Sequence, residues 1–126
     1  MTAALADTSV FIAQESGRPL GPLPDELAVS VITIGELRTG VLTATDVVTR
    51  DRRLATLTVA LALDPMPVDE DVAAAWARLR VLLRDAGRRM PLNDSWIAAT
   101  AISLGVAVAT QDDDYDGVPG LDVVHV

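Results

Sequence analysis

The chain has 126 residues, half of them hydrophobic, a formal charge of −8 and no cysteine. That is one domain's length with enough apolar material for a single core, and it excludes a disulfide framework and a thiolate zinc site. The negative charge argues against broad electrostatic adhesion to nucleic acid, whose affinity comes largely from counterion release by basic side chains. All ten basic residues are arginine. The missing lysine removes the group that Walker-type nucleotide sites and lysine-dependent phosphoacceptor domains require. No apolar run, Val59 to Leu63 included, is long enough to cross a bilayer, and the N-terminus lacks the basic region of a secretory signal, so a single cytoplasmic domain over residues 1–126 is expected.

Ala3 to Ala6 reads as a buried strand that runs through Asp7-Thr8-Ser9 into a helix beginning Val10-Phe11-Ile12-Ala13. Asp7 then stands at the strand's carboxyl end, where any of Asp7, Thr8 or Ser9 could serve as an ordinary helix N-cap. Gly17 to Pro24 is a loop by its proline and glycine content. Leu27 to Val31 is a second strand, and Thr33-Ile34-Gly35-Glu36-Leu37 opens a helix ending near Gly40. Thr33 and Glu36 have capping-box spacing, which by itself explains Glu36.

Thr45 to Leu63 is helical, with Val47, Leu54, Leu57 and Leu61 on one side, and Asp64-Pro65 stops it. Met66-Pro67-Val68 is a short strand candidate. Asp69-Glu70-Asp71 supplies acids to the first turn of a long helix whose buried stripe is Val72, Trp76, Leu79, Leu83 and Ala86, with Gly87 as its stop.

The last helix opens at Asn93-Asp94-Ser95-Trp96 and stops at Gly105. Asp94 shares the apolar stripe of Ile97, Ala98 and Ala101, and a carboxylate on a buried face is expensive unless something pairs with it. Asn93 can serve as the cap, which leaves Asp94 free. Val106 to Thr110 is a strand, and Leu121 to Val126 is a final edge strand in which His125 reads as a frayed terminal residue.

Between these strands lies Thr110-Gln111-Asp112-Asp113-Asp114-Tyr115-Asp116-Gly117. Asp112, Asp114, Asp116 and Gly117 match the opening of an EF-hand loop, but Val123 stands where a bidentate Glu is required and Pro119 interrupts the loop. A solvated turn explains the cluster taken alone.

Strands alternating with helices give an α/β fold with a mainly parallel central sheet of four to five strands flanked by helices. Ligands of such sheets bind beyond the carboxyl ends of the strands. Asp7, Glu36, Asp94 and Asp112 all fall on that rim, and their convergence is harder to assign to capping than any one of them. Hard oxygen ligands without His or Cys favour magnesium or manganese. Four carboxylates on one rim repel, which predicts raised pKa values and a thermal stability that depends on metal.

Leu5-Ala6-Asp7-Thr8-Ser9-Val10-Phe11-Ile12, Glu36-Leu37-Arg38-Thr39-Gly40, Asp94-Ser95-Trp96-Ile97-Ala98-Ala99-Thr100-Ala101 and Thr110-Gln111-Asp112-Asp113-Asp114-Tyr115, followed by Val118-Pro119-Gly120-Leu121, resemble the successive motifs of PIN-domain proteins, above all the VapC toxins of bacterial toxin-antitoxin pairs. The resemblance spans the chain. It implies a magnesium- or manganese-dependent endoribonuclease with Asp7, Glu36, Asp94 and Asp112 as the metal site, Asp114 as a fifth candidate, and helper hydroxyls from Ser9 or Thr8 and from Thr110. Asp113 is an acid beyond the expected pattern. The resemblance also implies a homodimer and a small VapB-like antitoxin that covers the site. RNA would reach the acidic rim through metal and arginines, for which Arg50, Arg53, Arg84 and Arg88 are the candidates. Two other readings stay open: a non-catalytic PIN-fold module that binds metal or a partner, and an acid-dependent phosphatase or phosphoacceptor, which the absence of lysine disfavours.

Overall fold

A computed structural model describes residues 2–126. Its elements, in chain order, are β1 (Ala3–Ala6), α1 (Thr8–Ser16), β2 (Glu26–Ala28), α2 (Val31–Thr43), α3 (Val47–Leu61), α4 (Glu70–Asp85), α5 (Leu92–Leu104), β3 (Ala107–Thr110) and β4 (Val123–His125). The four strands form one sheet in the order β2-β1-β3-β4, and every pair is parallel. Both central strands, Ala3-Ala4-Leu5-Ala6 and Ala107-Val108-Ala109-Thr110, are short and mostly apolar, as suits strands covered on both faces.

Alternation along β1 sends Leu5 and Ala6 to opposite sides. Leu5 joins Val108, Leu79, Leu83, Ile97, Ala98, Ala101 and Tyr115 under α4 and α5. Ala6 joins Val10, Phe11, Val29, Leu37, Leu57 and Ala60 under α1, α2 and α3. The fold is thus three layers with a core on each face of the sheet. Among the described residues no helix is long and apolar enough to cross a membrane.

Local chemistry sets most boundaries. Asp69 caps α4 by accepting from the Val72 N–H at 2.9 Å, with Glu70 and Asp71 in the positive first turn and Arg84 in the last. Gly105, at φ 70°, ends α5 in the left-handed region.

Several expectations shift. Strand β2 ends at Ala28, and α2 starts at Val31 because Ser30 is its cap, its hydroxyl accepting from the Ile32 N–H at 3.0 Å. Thr33 is therefore an interior residue, fully buried, and no capping box forms with Glu36; α2 also runs past Gly40 to Thr43. In α3 the buried positions are Leu57 and Ala60, whereas Val47, Leu54 and Leu61 are exposed, because α3 rests on α2 and α1 by a narrower stripe than the sequence suggests. Met66 contributes a single bridge to Ser30 in place of a strand. In α4, Ala75 replaces Ala86 in the buried stripe, and Trp76 is half-buried. Helix α5 begins before Asn93, with Pro91 at the cap position. The last strand narrows to Val123–His125 at the sheet edge, so His125 is held in a strand.

Candidate active site at the carboxyl rim

Asp7 follows the central strand β1 and occupies the cap position of α1, yet its side chain makes no capping bond. Its N–H instead continues the sheet ladder, donating to the Ala109 carbonyl at 2.9 Å. The carboxylate is 2 % exposed and accepts from three hydroxyls. Ser9 Oγ donates to Oδ2 at 2.8 Å, Thr110 Oγ1 to the same oxygen at 2.9 Å, and Tyr115 Oη to Oδ1 at 3.0 Å. Because the protons of Ser9 and Thr110 both point to Asp7, their oxygens are left to accept, and they do so from the Gln111 N–H at 3.0 Å and the Asp112 N–H at 2.9 Å. The chain leaving β3 is thereby tied to the carboxylate that leaves β1.

Asp94 lies in the first turn of α5 on the face shared with buried Ile97, Ala98 and Ala101, half-buried, with Oδ1 3.2 Å from Tyr115 Oη, so that the single phenol proton is shared between Asp94 and the nearer Asp7. Burial first, and then the charge of Asp7, push its pKa up to about 7 against the pull of the tyrosine hydrogen bond; Asp114 and Glu36 add to the rise. Asp112 is also raised, by burial and then by the charges of Asp7 and Asp114, with Arg18 opposing.

Glu36 sits in the second turn of α2, and its Oε1 accepts from Thr8 Oγ1 at 2.7 Å. Thr8 is also 2.9 Å from Thr33 Oγ1, and since the Thr8 proton is given to Glu36, Thr33 is the donor in that pair. The rim therefore carries two hydroxyl-supported carboxylates on the α1 side, Asp7 and Glu36, and Thr8, Ser9 and Thr110 each contact one of them.

Tyr115 is the residue that sequence reasoning passed over. It is fully buried and packs with Leu5, Leu79, Leu83, Ile97 and Val108, while its hydroxyl touches Asp7 and Asp94. Burial and those two acids drive its pKa far above the ordinary phenol range. The available signal was a lone aromatic among four acids, since a phenol ring there has to find a core.

Among the described residues, one set of three His, Cys, Asp or Glu side chains brings its ligating atoms within 4.8 Å of one another, and it is Asp113, Asp116 and His125, all exposed. Asp116 Oδ1 lies 2.7 Å from His125 Nε2. Asp7, Glu36, Asp94 and Asp112 do not draw together so tightly, as expected of like charges at short range. Magnesium, which keeps several waters and takes one or two carboxylates directly, does not require that they do.

The arginines divide by what they touch. Arg50 Nη2 donates to the Ala44 carbonyl at 3.0 Å and Arg53 Nη1 to the Gly40 carbonyl at 2.7 Å, so both fasten α3 to the end of α2. Arg88 donates through Nη2 to the Asp114 carbonyl at 3.0 Å and through Nη1 to the Asp116 carbonyl, clamping the acidic loop on either side of Tyr115. Arg84 pairs with its neighbour Asp85 at the surface. A groove of about 690 Å³ beside the start of α5 is lined by Arg80, Arg84, Arg88 and Arg89 together with Met90 and Ser95. At its edge the Arg80 guanidinium lies 4.8 Å above the Trp76 ring, which stacks on Trp96 at 4.1 Å.

The sequence and the fold both have recognisable relatives. The PIN domain family profile matches residues 4–121. Ribonuclease VapC5 of Mycobacterium tuberculosis is 48% identical over 129 residues, covering 98% of this chain and 96% of its own. Ribonuclease VapC4 of the same organism is 49% identical over 125 residues, with the same coverages. The crystal structure of VapBC-5, a member of the VapBC family of toxin-antitoxin systems from M. tuberculosis, superposes with a TM-score of 0.88 at 45% identity over the full length of both chains. The chain belongs to the PIN-domain family and, within it, to the VapC-type ribonucleases.

Proposed function

We propose that residues 1–126 form one divalent-metal-dependent endoribonuclease domain, the toxin of a VapBC-type pair, acting in the cytoplasm on RNA phosphodiester bonds. The observation that carries this reading is the coupling of Asp7 and Asp94, two carboxylates brought onto one tyrosine hydroxyl from opposite parts of the chain. The donor set fits magnesium or manganese: hard carboxylate oxygens, no thiolate, the one imidazole engaged by Asp116, and an Asp94 whose charge is disfavoured by burial and by Asp7 until a cation offsets them. Asp7, Glu36, Asp94 and Asp112 would hold the ion, with Asp114 close enough in charge to assist. Bound there, the ion supplies Lewis-acid polarisation of a phosphodiester and an attacking water of lowered pKa.

The chain's own residues do the positioning. Ser9 and Thr110 hold Asp7 Oδ2, Thr8 holds Glu36, and the hydroxyl-bonded N–H groups of Gln111 and Asp112 fix the exit of β3. The groove arginines supply the local positive surface by which a strongly acidic protein can receive RNA. Of the four arginines expected to form that track, Arg84 and Arg88 line the groove, Arg88 with its guanidinium already donating to the Asp114 and Asp116 carbonyls, whereas Arg50 and Arg53 are spent on the Ala44 and Gly40 carbonyls at the end of α2. VapC-type relatives solved as VapBC complexes support a small antitoxin partner, and a homodimer is part of the same proposal.

Purified protein incubated with a pool of structured RNAs and magnesium or manganese, beside Asp7→Asn and Asp94→Asn, tests the reading. Cleavage by the unsubstituted protein that each substitution lowers by about 100-fold or more is expected, a loss of several kcal/mol of transition-state stabilisation. Equal cleavage by all three would assign the activity to a contaminant and remove the proposal. A non-catalytic module, the competing reading, is disfavoured because all four acids are present and three hydroxyls support two of them, Asp7 and Glu36.

A further inference from the structure

We propose that Tyr115 is a positioning residue for the metal site: its hydroxyl sets the placement of Asp7 Oδ1, the oxygen through which that acid reaches a divalent cation, and holds the Asp94 carboxylate beside it. This rests on the metal-dependent reading above. Counting lone pairs leads to it. Asp7 Oδ2 already accepts from Ser9 and Thr110 and has no further capacity, while Oδ1 accepts from Tyr115 alone and keeps one lone pair. Asp7 can therefore offer a cation only Oδ1, and that oxygen shares the tyrosine hydroxyl with Asp94 Oδ1.

The hydroxyl is a rigid reference point. The ring is fully buried between the sheet, α4 and α5, and Arg88 pins the backbone at Asp114 and Asp116, the residues on either side. A phenol so fixed cannot follow the carboxylates, so they are placed relative to it. Outer partners of this type orient metal ligands, and their loss lowers metal affinity by about 10- to 100-fold.

Two measurements on the intact chain test this. Direct titration with Mn2+, read by the electron paramagnetic resonance of the free ion, should give an affinity about 10- to 100-fold weaker for Tyr115→Phe than for the unsubstituted protein. The far-UV circular dichroism of the two metal-free proteins should match, because the ring and its packing remain. Tyr115 is the chain's one tyrosine, so 3-fluorotyrosine labelling places a single 19F reporter at this position. Its resonance should move on adding Mg2+ with the midpoint at which the ion binds. Equal Mn2+ affinity of the two proteins, or a 19F resonance that saturating Mg2+ leaves in place, overturns the role of Tyr115 while leaving the metal site standing. Absence of Mn2+ binding to the unsubstituted protein overturns the metal site itself, and this inference with it.

Discussion

One loop, Asp112 to Asp116, carries acids into two different surroundings. On its inner side Tyr115 descends into the core and joins Asp7 and Asp94, and the charges of Asp112 and Asp114 are felt there. On its outer side Asp113 and Asp116 meet His125 in the open. By separation of ligating atoms alone the outer group is the better cation site. The inner group differs in what its carboxylates cost: Asp94 is charged only against burial and a neighbouring negative charge, and Asp7 is buried with three hydroxyls on it. Water solvates and screens the outer acids, so they need no ion. Crowding of acids is therefore a poor guide to chemistry, whereas a carboxylate kept buried and hydrogen-bonded is a better one.

Activity should separate the two groups most widely. Asp7→Asn and Asp94→Asn are expected to lower RNA cleavage by about 100-fold or more, and Asp113→Asn and Asp116→Asn by less than about 3-fold, in the same metal-supplemented assay. A loss at Asp113 or Asp116 as large as that at Asp94 would move the chemistry to the outer face.

Stability should separate them next. Thr110→Val keeps the shape of a fully buried side chain but removes the donor to Asp7 and the acceptor for the Asp112 N–H, and is expected to cost about 1–3 kcal/mol in denaturant unfolding. His125→Gln on the outer face should cost no more than about 1 kcal/mol, as for an exposed pair.

The pH dependence is the finest distinction. Asp94 titrates at about 7 when folded against 3.8 ordinarily, so between those values the native state holds a proton that the unfolded chain has released. Stability of the metal-free protein must then fall as pH rises from about 4 to about 7 and level off above, and the raised Asp112 adds to the fall with the same sign. Melting temperatures in chelator should show that decline, and Asp94→Asn should reduce it. A decline of unchanged slope in that variant would place the titrating group elsewhere.

Much of this was legible in the chain. Asp94 announced itself by sharing a stripe with Ile97, Ala98 and Ala101, and Asp7 by standing at the carboxyl end of a short apolar run that leads into a helix. Parallel pairing followed from alternation of strands and helices. The hydroxyls on the acids were less legible: Thr8, Ser9 and Thr110 came only with the family resemblance and Tyr115 was missed, because bonds such as those of Thr110 and Tyr115 to Asp7 join residues 103 and 108 positions apart and no local pattern encodes them. The Thr33 to Glu36 spacing misled for a related reason: a capping box and two interior residues on one helix face have the same spacing, and only the Ser30 hydroxyl on the Ile32 N–H distinguishes them. Arg50, Arg53 and Arg88 read in the sequence only as candidates for an RNA track, since carbonyl partners on other elements leave no trace in composition.

The central claim is that the inner carboxylates hold a divalent cation and the outer ones do not. Thermal unfolding of the unsubstituted protein, Asp94→Asn and Asp113→Asn with and without saturating Mn2+ tests it directly. The account predicts that Mn2+ raises the melting temperature of the unsubstituted protein and of Asp113→Asn and leaves Asp94→Asn nearly unmoved. An equal rise in Asp94→Asn, or none in the unsubstituted protein, would contradict it.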